Sequence, residues 1–160
     1  KGHDARIVDT RKTTPGLRAL EKYAVRAGGG HNHRQNLGDG IFIKDNHIEA
    51  LAQFGMSFAD VIRKANSEKS HTINVEVEVE TLTQVKEALD AGATILLLDN
   101  MSIEDMKEAV KLCSGRAVTE ASGTITLAKV QAVAETGVDL ISVGALTHSS
   151  ASLDISLDIR

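Results

Sequence analysis

A parallel α/β fold of about six strands is what this sequence predicts, on three observations. Strand-like and helix-like patterns alternate along all 160 residues. Apolar residues make up 42% of the chain but aromatics only 2%. The core must therefore be built from Ala, Val, Ile and Leu, as in a parallel sheet covered by helices. Two of the helical patterns also end in Ala91-Gly92-Ala93 and Thr136-Gly137-Val138. Each glycine falls where a helix stops and the next strand follows.

The first strand-like run, residues 6–10, contains the β-branched pair Ile7 and Val8 and leads into a helical pattern over 17–27. A short apolar run at 41–44 precedes a helical pattern over 58–66. Residues 74–80 alternate Val75, Val77 and Val79 with Glu76, Glu78 and Glu80, a period of two. They are followed by 82–91, where Val85, Ala88 and Leu89 show helical spacing. The runs 94–99, 117–121 and 140–143 are the last three strands, with helical patterns over 103–112 and 127–135 between them. Alternation with short links implies a parallel sheet, either open and doubly wound or curled into a barrel. A full eight-unit barrel takes about 250 residues, so a barrel here would be incomplete. With a strand almost at its start and no Met before it, residues 1–160 are expected to be the C-terminal domain of a longer protein.

Composition narrows the function. So few aromatics argue against the stacking surfaces that bind nucleic acid. No apolar run spans a bilayer. The lone Cys113 excludes an intrachain disulfide framework and fits a reducing compartment, so the cytoplasm is expected. The net charge is −4, but residues 1–47 carry +4 and the rest −8, and four of the six histidines lie in that basic segment. Charges on helix faces would give the same totals by mere solvation, and Arg18, Lys22 and Arg26 are of that kind. Arg11, Lys12, His33, Arg34 and Lys44 are not.

Those residues fall at strand ends, where α/β proteins bind ligands. Arg11 and Lys12, read as lying on a strand end, would alternate, one pointing inward and one across the rim; the pair suits a substrate with two anionic ends. Gly28-Gly29-Gly30 then His31-Asn32-His33-Arg34 gives a flexible turn followed by anion-binding groups. His-Asn-His is not a convincing zinc site, having no Cys or third ligand beside it. Three carboxylates on one face of a covered strand need cations or a metal; Glu78 and Glu80, nearer the strand's C-terminal end, are better placed than Glu76. Asp99 directly follows an apolar strand, and Ser102 can cap the next helix without it. Glu78 and Asp99 could hold Mg²⁺, or could stabilise developing positive charge without metal. Ser122-Gly123 and Gly144, at the last two strand ends, let backbone N–H groups approach a phosphate.

With these residues in view, the chain strongly resembles the C-terminal domain of the quinolinate phosphoribosyltransferase (nicotinate-nucleotide pyrophosphorylase, carboxylating) family. The resemblance rests on Asp-Thr-Arg-Lys-Thr-Thr-Pro-Gly-Leu-Arg (9–18), Glu-Lys-Tyr-Ala-Val (21–25) and Gly-Gly-Gly-His-Asn-His-Arg (28–34). Ile-Lys-Asp-Asn-His-Ile (43–48), the three-Glu strand (75–80), Leu-Asp-Asn (98–100) and Val-Gly-Ala-Leu-Thr-His-Ser (143–149) continue it in order. It implies an incomplete, TIM-like α/β barrel and an N-terminal sandwich domain outside this sequence. It also implies transfer of phosphoribose from phosphoribosyl pyrophosphate to quinolinate with loss of CO₂ and pyrophosphate, giving nicotinate mononucleotide for NAD synthesis. By motif match, Arg11, His33 and Arg34 would hold the quinolinate carboxylates, with Lys12 and Lys44 serving quinolinate and the pyrophosphate. Glu78 and Asp99 would face the ribose and Mg²⁺, and Ser122, Gly123, Gly144 and His148 the 5′-phosphate. Thr124 stands where the family often has a second glycine. The resemblance further implies a homodimer or higher oligomer in which the partner lends an arginine to the site. A relative linked to molybdenum transport shares the first and third segments, but Lys44-Asp-Asn-His47 and the three-Glu strand favour the biosynthetic enzyme. An inactive, ligand-binding or dimer-forming barrel is the alternative of another class.

Overall fold

The computed structural model describes residues 2–159. Its strands are β1 (Arg6–Val8), β2 (Ile41–Ile43), β3 (Val75–Val79), β4 (Ile95–Asp99), β5 (Val118–Ser122) and β6 (Leu140–Ser142). They form one parallel sheet in the order β1-β6-β5-β4-β3-β2. A doubly wound sheet would reverse its strand order at a switch point. Here each strand from β2 to β6 lies beside the next, and β6 lies beside β1. That is a barrel with one seam, between β1 and β2.

The helices are α1 (Arg18–Ala27), α2 (Asp45–Ala52), α3 (Phe58–Glu68), α4 (Leu82–Asp90), α5 (Ile103–Cys113), α6 (Val130–Ala134) and α7 (Ala145–His148). None among the described residues is long and apolar enough to cross a membrane. Strand register sorts the side chains into two faces. Val77 stands opposite Leu96, Leu98 opposite Ala121, and Ala121 opposite Ile141. This apolar band packs with Ile62 of α3, Val85 and Ala88 of α4, and Met106 and Ala109 of α5. The alternate residues share the other face: Glu78 is in register with Leu97, and Leu97 with Glu120. The sheet therefore has an aliphatic outside, under helices, and a largely polar inside.

At the seam, His31 makes an isolated parallel bridge to Val8. Its N–H donates to the Ile7 carbonyl (2.9 Å), and its own carbonyl accepts from the Asp9 N–H (3.1 Å). The triple glycine makes this possible. Gly29 takes the left-handed conformation (φ 87°), and a Cβ on Gly30 would lie 2.8 Å from Val25 Cγ1. Only glycine fits so close to the last turn of α1.

Several sequence expectations need correction. β1 stops at Val8, so Arg11 and Lys12 lie in the loop beyond it and not at alternating strand positions. β3 stops at Val79, leaving Glu80 exposed, its N–H donating to Gln84 Oε1 (2.9 Å) at the start of α4. The expected helix over 127–135 is helical only at Val130–Ala134. Two short helices, α2 and α7, were not expected. Arg18 and Lys22 are not solvated charges: Lys22 is 2% exposed, and both grip loops of the site.

Leu96 is 0% exposed and Leu127 is 93% exposed. Leu96→Ala should cost about 3 kcal/mol of stability in urea unfolding. Leu127→Ala should stay within about 0.5 kcal/mol of the parent.

Candidate active site

At the C-terminal ends of the strands lies a cavity of about 750 Å³. This is the end of a parallel barrel at which loops converge on a ligand. Arg11 and Lys12 reach it from the loop after β1, His33 and Arg34 from the seam segment, and Lys44 from the end of β2. Glu78 and Asp99 line it from β3 and β4, Ser122 and Gly123 from the end of β5, and Gly144 and His148 from beyond β6. Every residue that the family resemblance assigns to the site thus lines one space, whereas Glu80 does not reach it.

The cations are held in fixed geometry. Arg34 Nη1 donates to the Gly40 carbonyl (2.8 Å), and its guanidinium carbon lies 5.2 Å from the centre of the Phe42 ring. Lys44 Nζ lies 4.8 Å from the same ring and 3.2 Å from Glu78 Oε2. Phe42 therefore separates and orients two positive groups. Burial, then Arg11, lowers the Arg34 pKa. A second positive charge has been crowded beside the first at a half-buried position, an arrangement that favours an anionic occupant. The Lys12 loop is pinned by buried Thr147, whose hydroxyl donates to the Lys12 carbonyl (2.6 Å). Thr147 belongs to α7, so the loops after β1 and β6 are tied together.

On the acidic side, burial pushes the Glu78 carboxyl up, Lys44 pulls against it and Asp99 adds to the rise. Asp99 accepts from Asn100 Nδ2 (2.8 Å). Asn100 and Thr124 both sit at positive φ (52° and 44°), a rare conformation that costs more for β-branched Thr than for Asn. Gly123 lies between these loops: a Cβ there would be 2.1 Å from Asn100 Oδ1. No other residue lets the ends of β4 and β5 approach so closely. A Cβ on Gly144 would likewise meet His148 Nε2 at 3.0 Å.

Sequence reasoning missed the floor of the cavity. His33 Nε2 lies 3.2 Å from Glu76 Oε2 and 3.5 Å from Glu120 Oε2. In the sequence Glu76 lies farther from the strand's C-terminal end than Glu78 and Glu80, and Glu120 is a strand residue two positions before Ser122. The ligand atoms of Glu76, Glu120 and His33 all lie within 4.8 Å of one another, whereas His31 is exposed. The His-Asn-His segment thus has carboxylates beside one histidine only. The signal that could have found them is the register: Glu76 and Glu120 are inward positions on β3 and β5, two strands apart.

Protons are shared across this floor. Arg34 N–H donates to His33 Nδ1 (2.8 Å), so in the neutral ring the proton sits on Nε2, facing both carboxylates. Burial opposes charge on His33, but the Glu76 hydrogen bond and the two carboxylates outweigh it, and its pKa is raised. Burial, reinforced by Glu76, pushes the Glu120 carboxyl up to about 7. Buried Arg11 Nε, Glu76 Oε1 and Glu120 Oε1 have no partner among the described residues. They add a donor and two acceptors to the polar surface here.

The raised Glu120 pKa has a signed consequence for stability. Below its ordinary value of 4.5 the carboxyl is neutral in both folded and unfolded chains. Between 4.5 and about 7 only the unfolded chain ionises freely, so stability falls as pH rises through that window. Glu120→Gln should remove this loss. Thermal unfolding should show the variant gaining on the parent between about pH 4.5 and about pH 7.

Residues 1–158 match the family described as quinolinate phosphoribosyl transferase, C-terminal domain. A Bacillus subtilis protein described as a probable nicotinate-nucleotide pyrophosphorylase (carboxylating) is 53% identical over 154 residues, covering 96% of this chain and 52% of that protein. A Nicotiana tabacum quinolinate phosphoribosyltransferase (decarboxylating) is 46% identical, with 98% and 49% covered. The solved nicotinate-nucleotide pyrophosphorylase of Francisella tularensis superposes with a TM-score of 0.89 at 44% identity, covering 96% of this chain and 53% of that one. The chain spans about half the length of these relatives. Its sequence, its barrel and its six-strand order agree: the chain belongs to the quinolinate phosphoribosyl transferase family, in the part that forms the C-terminal domain.

Proposed function

We propose that this chain carries the reaction centre for transfer of phosphoribose from phosphoribosyl pyrophosphate to quinolinate, yielding nicotinate mononucleotide, CO₂ and pyrophosphate. The supporting observation is the division of charge in one cavity. Arg11, Lys12, His33 and Arg34 line it together with Glu78 and Asp99, and Lys44 pairs with Glu78 at its wall. Quinolinate is a pyridine with two adjacent carboxylates. Arg11 and Arg34 hold these by charge-assisted hydrogen bonds, with the His33 ring lining the cavity beside them. The ring nitrogen is then directed towards the acidic wall.

As the bond from ribose C1 to pyrophosphate breaks, its electron pair leaves with the pyrophosphate. Lys12 and Lys44 stabilise that departing charge, while Glu78 and Asp99 stabilise the positive charge developing on C1. The pyridine nitrogen bonds to C1 and becomes cationic. The carboxylate on the adjacent carbon then leaves as CO₂, and a proton replaces it. Ser122, Gly123, Gly144 and His148 cradle the 5′-phosphate, fixing the donor's far end.

Glu78 and Asp99 fit Mg²⁺: they are hard oxygen donors on adjacent strands, and the charge of one adds to the raised pKa of the other. Mg²⁺ held there would neutralise phosphate charge. The imidazole-containing group of His33, Glu76 and Glu120 suits it less well. The exposed apolar side chains Leu20 and Tyr23 on α1 support assembly as a homodimer or larger oligomer. The single, buried Cys113 supports a cytoplasmic setting.

Titration calorimetry tests the clamp. The chain should bind quinolinate, and Arg34→Ala should weaken binding about ten- to a hundredfold, the worth of one or two charge-assisted hydrogen bonds. Undiminished affinity in Arg34→Ala would sink the assignment. Turnover by the 160-residue chain alone should be poor, with rapid nicotinate mononucleotide formation the contrary outcome.

A further inference from the structure

The side of α1 that faces the barrel carries Arg18, Glu21 and Lys22, at the spacing that puts three side chains on one helix face. Each grips a loop of the site. Arg18 donates from Nε to Thr13 Oγ1 (3.0 Å), from Nη2 to the Arg11 carbonyl (3.2 Å) and from Nη1 to the Gln35 carbonyl (3.2 Å). Glu21 accepts from the Thr14 N–H (3.1 Å). Lys22 Nζ pairs with the fully buried Asp9 and donates to the His33 carbonyl (3.0 Å). Asp9 in turn accepts from the His33 N–H (2.8 Å) and from Asn32 Nδ2 (2.5 Å).

We propose that α1 is a positioning brace, its Arg18 and Lys22 fixing the two cation-bearing segments, 9–14 and 33–36, against each other so that Arg11, His33 and Arg34 converge on one ligand. Two features favour this over simple fold stability. Four of the six partners are backbone groups of the loops that carry the ligand-facing side chains: the Arg11, His33 and Gln35 carbonyls and the Thr14 N–H. Moreover, a buried ion pair is a weak source of stability compared with apolar packing, so Asp9–Lys22 must be valued for where it puts His33. Arg18 is also a planar fork, able to hold three acceptors in set directions as lysine cannot. None of the three α1 side chains lines the cavity; they act through Arg11, His33 and Arg34.

The inference rests on the quinolinate reading for its ligand, but the brace has a second readout that needs none. Two variants test it: Arg18→Ala, at a half-buried position, and the paired Asp9→Leu/Lys22→Met, which removes both buried charges together. Calorimetry with quinolinate and proton NMR titration of the His33 ring are measured on the full chain, alongside melting. Both variants should melt near the parent yet bind quinolinate about tenfold or more weakly, as expected when binding groups are misplaced. In the paired variant the His33 midpoint should also fall, because the ring drifts from Glu76 and Glu120. Arg18→Ala remains decisive if the paired variant fails to fold. Variants that melt like the parent and keep both its quinolinate affinity and its His33 midpoint overturn the brace. If the parent does not bind quinolinate but the His33 midpoint falls in the paired variant, the brace is upheld and the substrate reading is removed instead.

Discussion

Val75, Val77 and Val79 cannot be buried beneath α3 and α4 without turning Glu76 and Glu78 into the barrel. That constraint organises the molecule. A strand has only two faces, and helices covering one of them leave the other for whatever alternates with the aliphatic residues. β5 repeats the arrangement, with Thr119 and Ala121 outward and Glu120 inward. Carboxylates are thereby forced into a space that water only partly reaches, and charge there must be compensated or suppressed.

The barrel does both. Glu78 meets Lys44 near the mouth, whereas Glu120, at the floor, holds its proton to higher pH and leans on His33. The compensating cations come from the segments on either side of the seam, after β1 and before and after β2. The sheet supplies the acids and the seam supplies the bases. The charge division in the sequence, basic in the first 47 residues and acidic after, is this geometry written along the chain.

Much of this was legible from periodicity. All six strands, the helices α1, α3, α4 and α5, and the centre of α6 could be placed because their apolar residues recur locally at two or at three to four. Arg11, Lys12, His33, Arg34, Lys44, Glu78 and Asp99 could be picked out as polar groups at strand ends. What could not be read was anything that depends on another strand's position. In a row of alternating residues Glu80 looks better placed than Glu76, being nearer the C-terminal end. Only the end of β3 at Val79 excludes one, and only the arrival of His33 from the seam selects the other. Lys22 has the spacing of an ordinary surface lysine, and nothing local reveals that Asp9, thirteen residues earlier, waits beneath it. α7 is too short for periodicity to stand out, and α2 begins immediately after the ligand-facing Lys44, where the strand-like run ends.

The seam between β1 and β2 gives the barrel a mechanical character. A closed ring of strands resists any change in circumference, because widening it means breaking a ladder of hydrogen bonds. A split ring can open or tighten at its gap while every ladder stays intact. In this chain the segment in the gap is held to β1 by the His31–Val8 bridge and to the start of β2 by Arg34, which donates to the Gly40 carbonyl. Its compliance is therefore concentrated where the cations stand. An anion drawing Arg11 and Arg34 together would act as a clasp on that ring, so that ligand occupancy and barrel circumference become one mechanical variable.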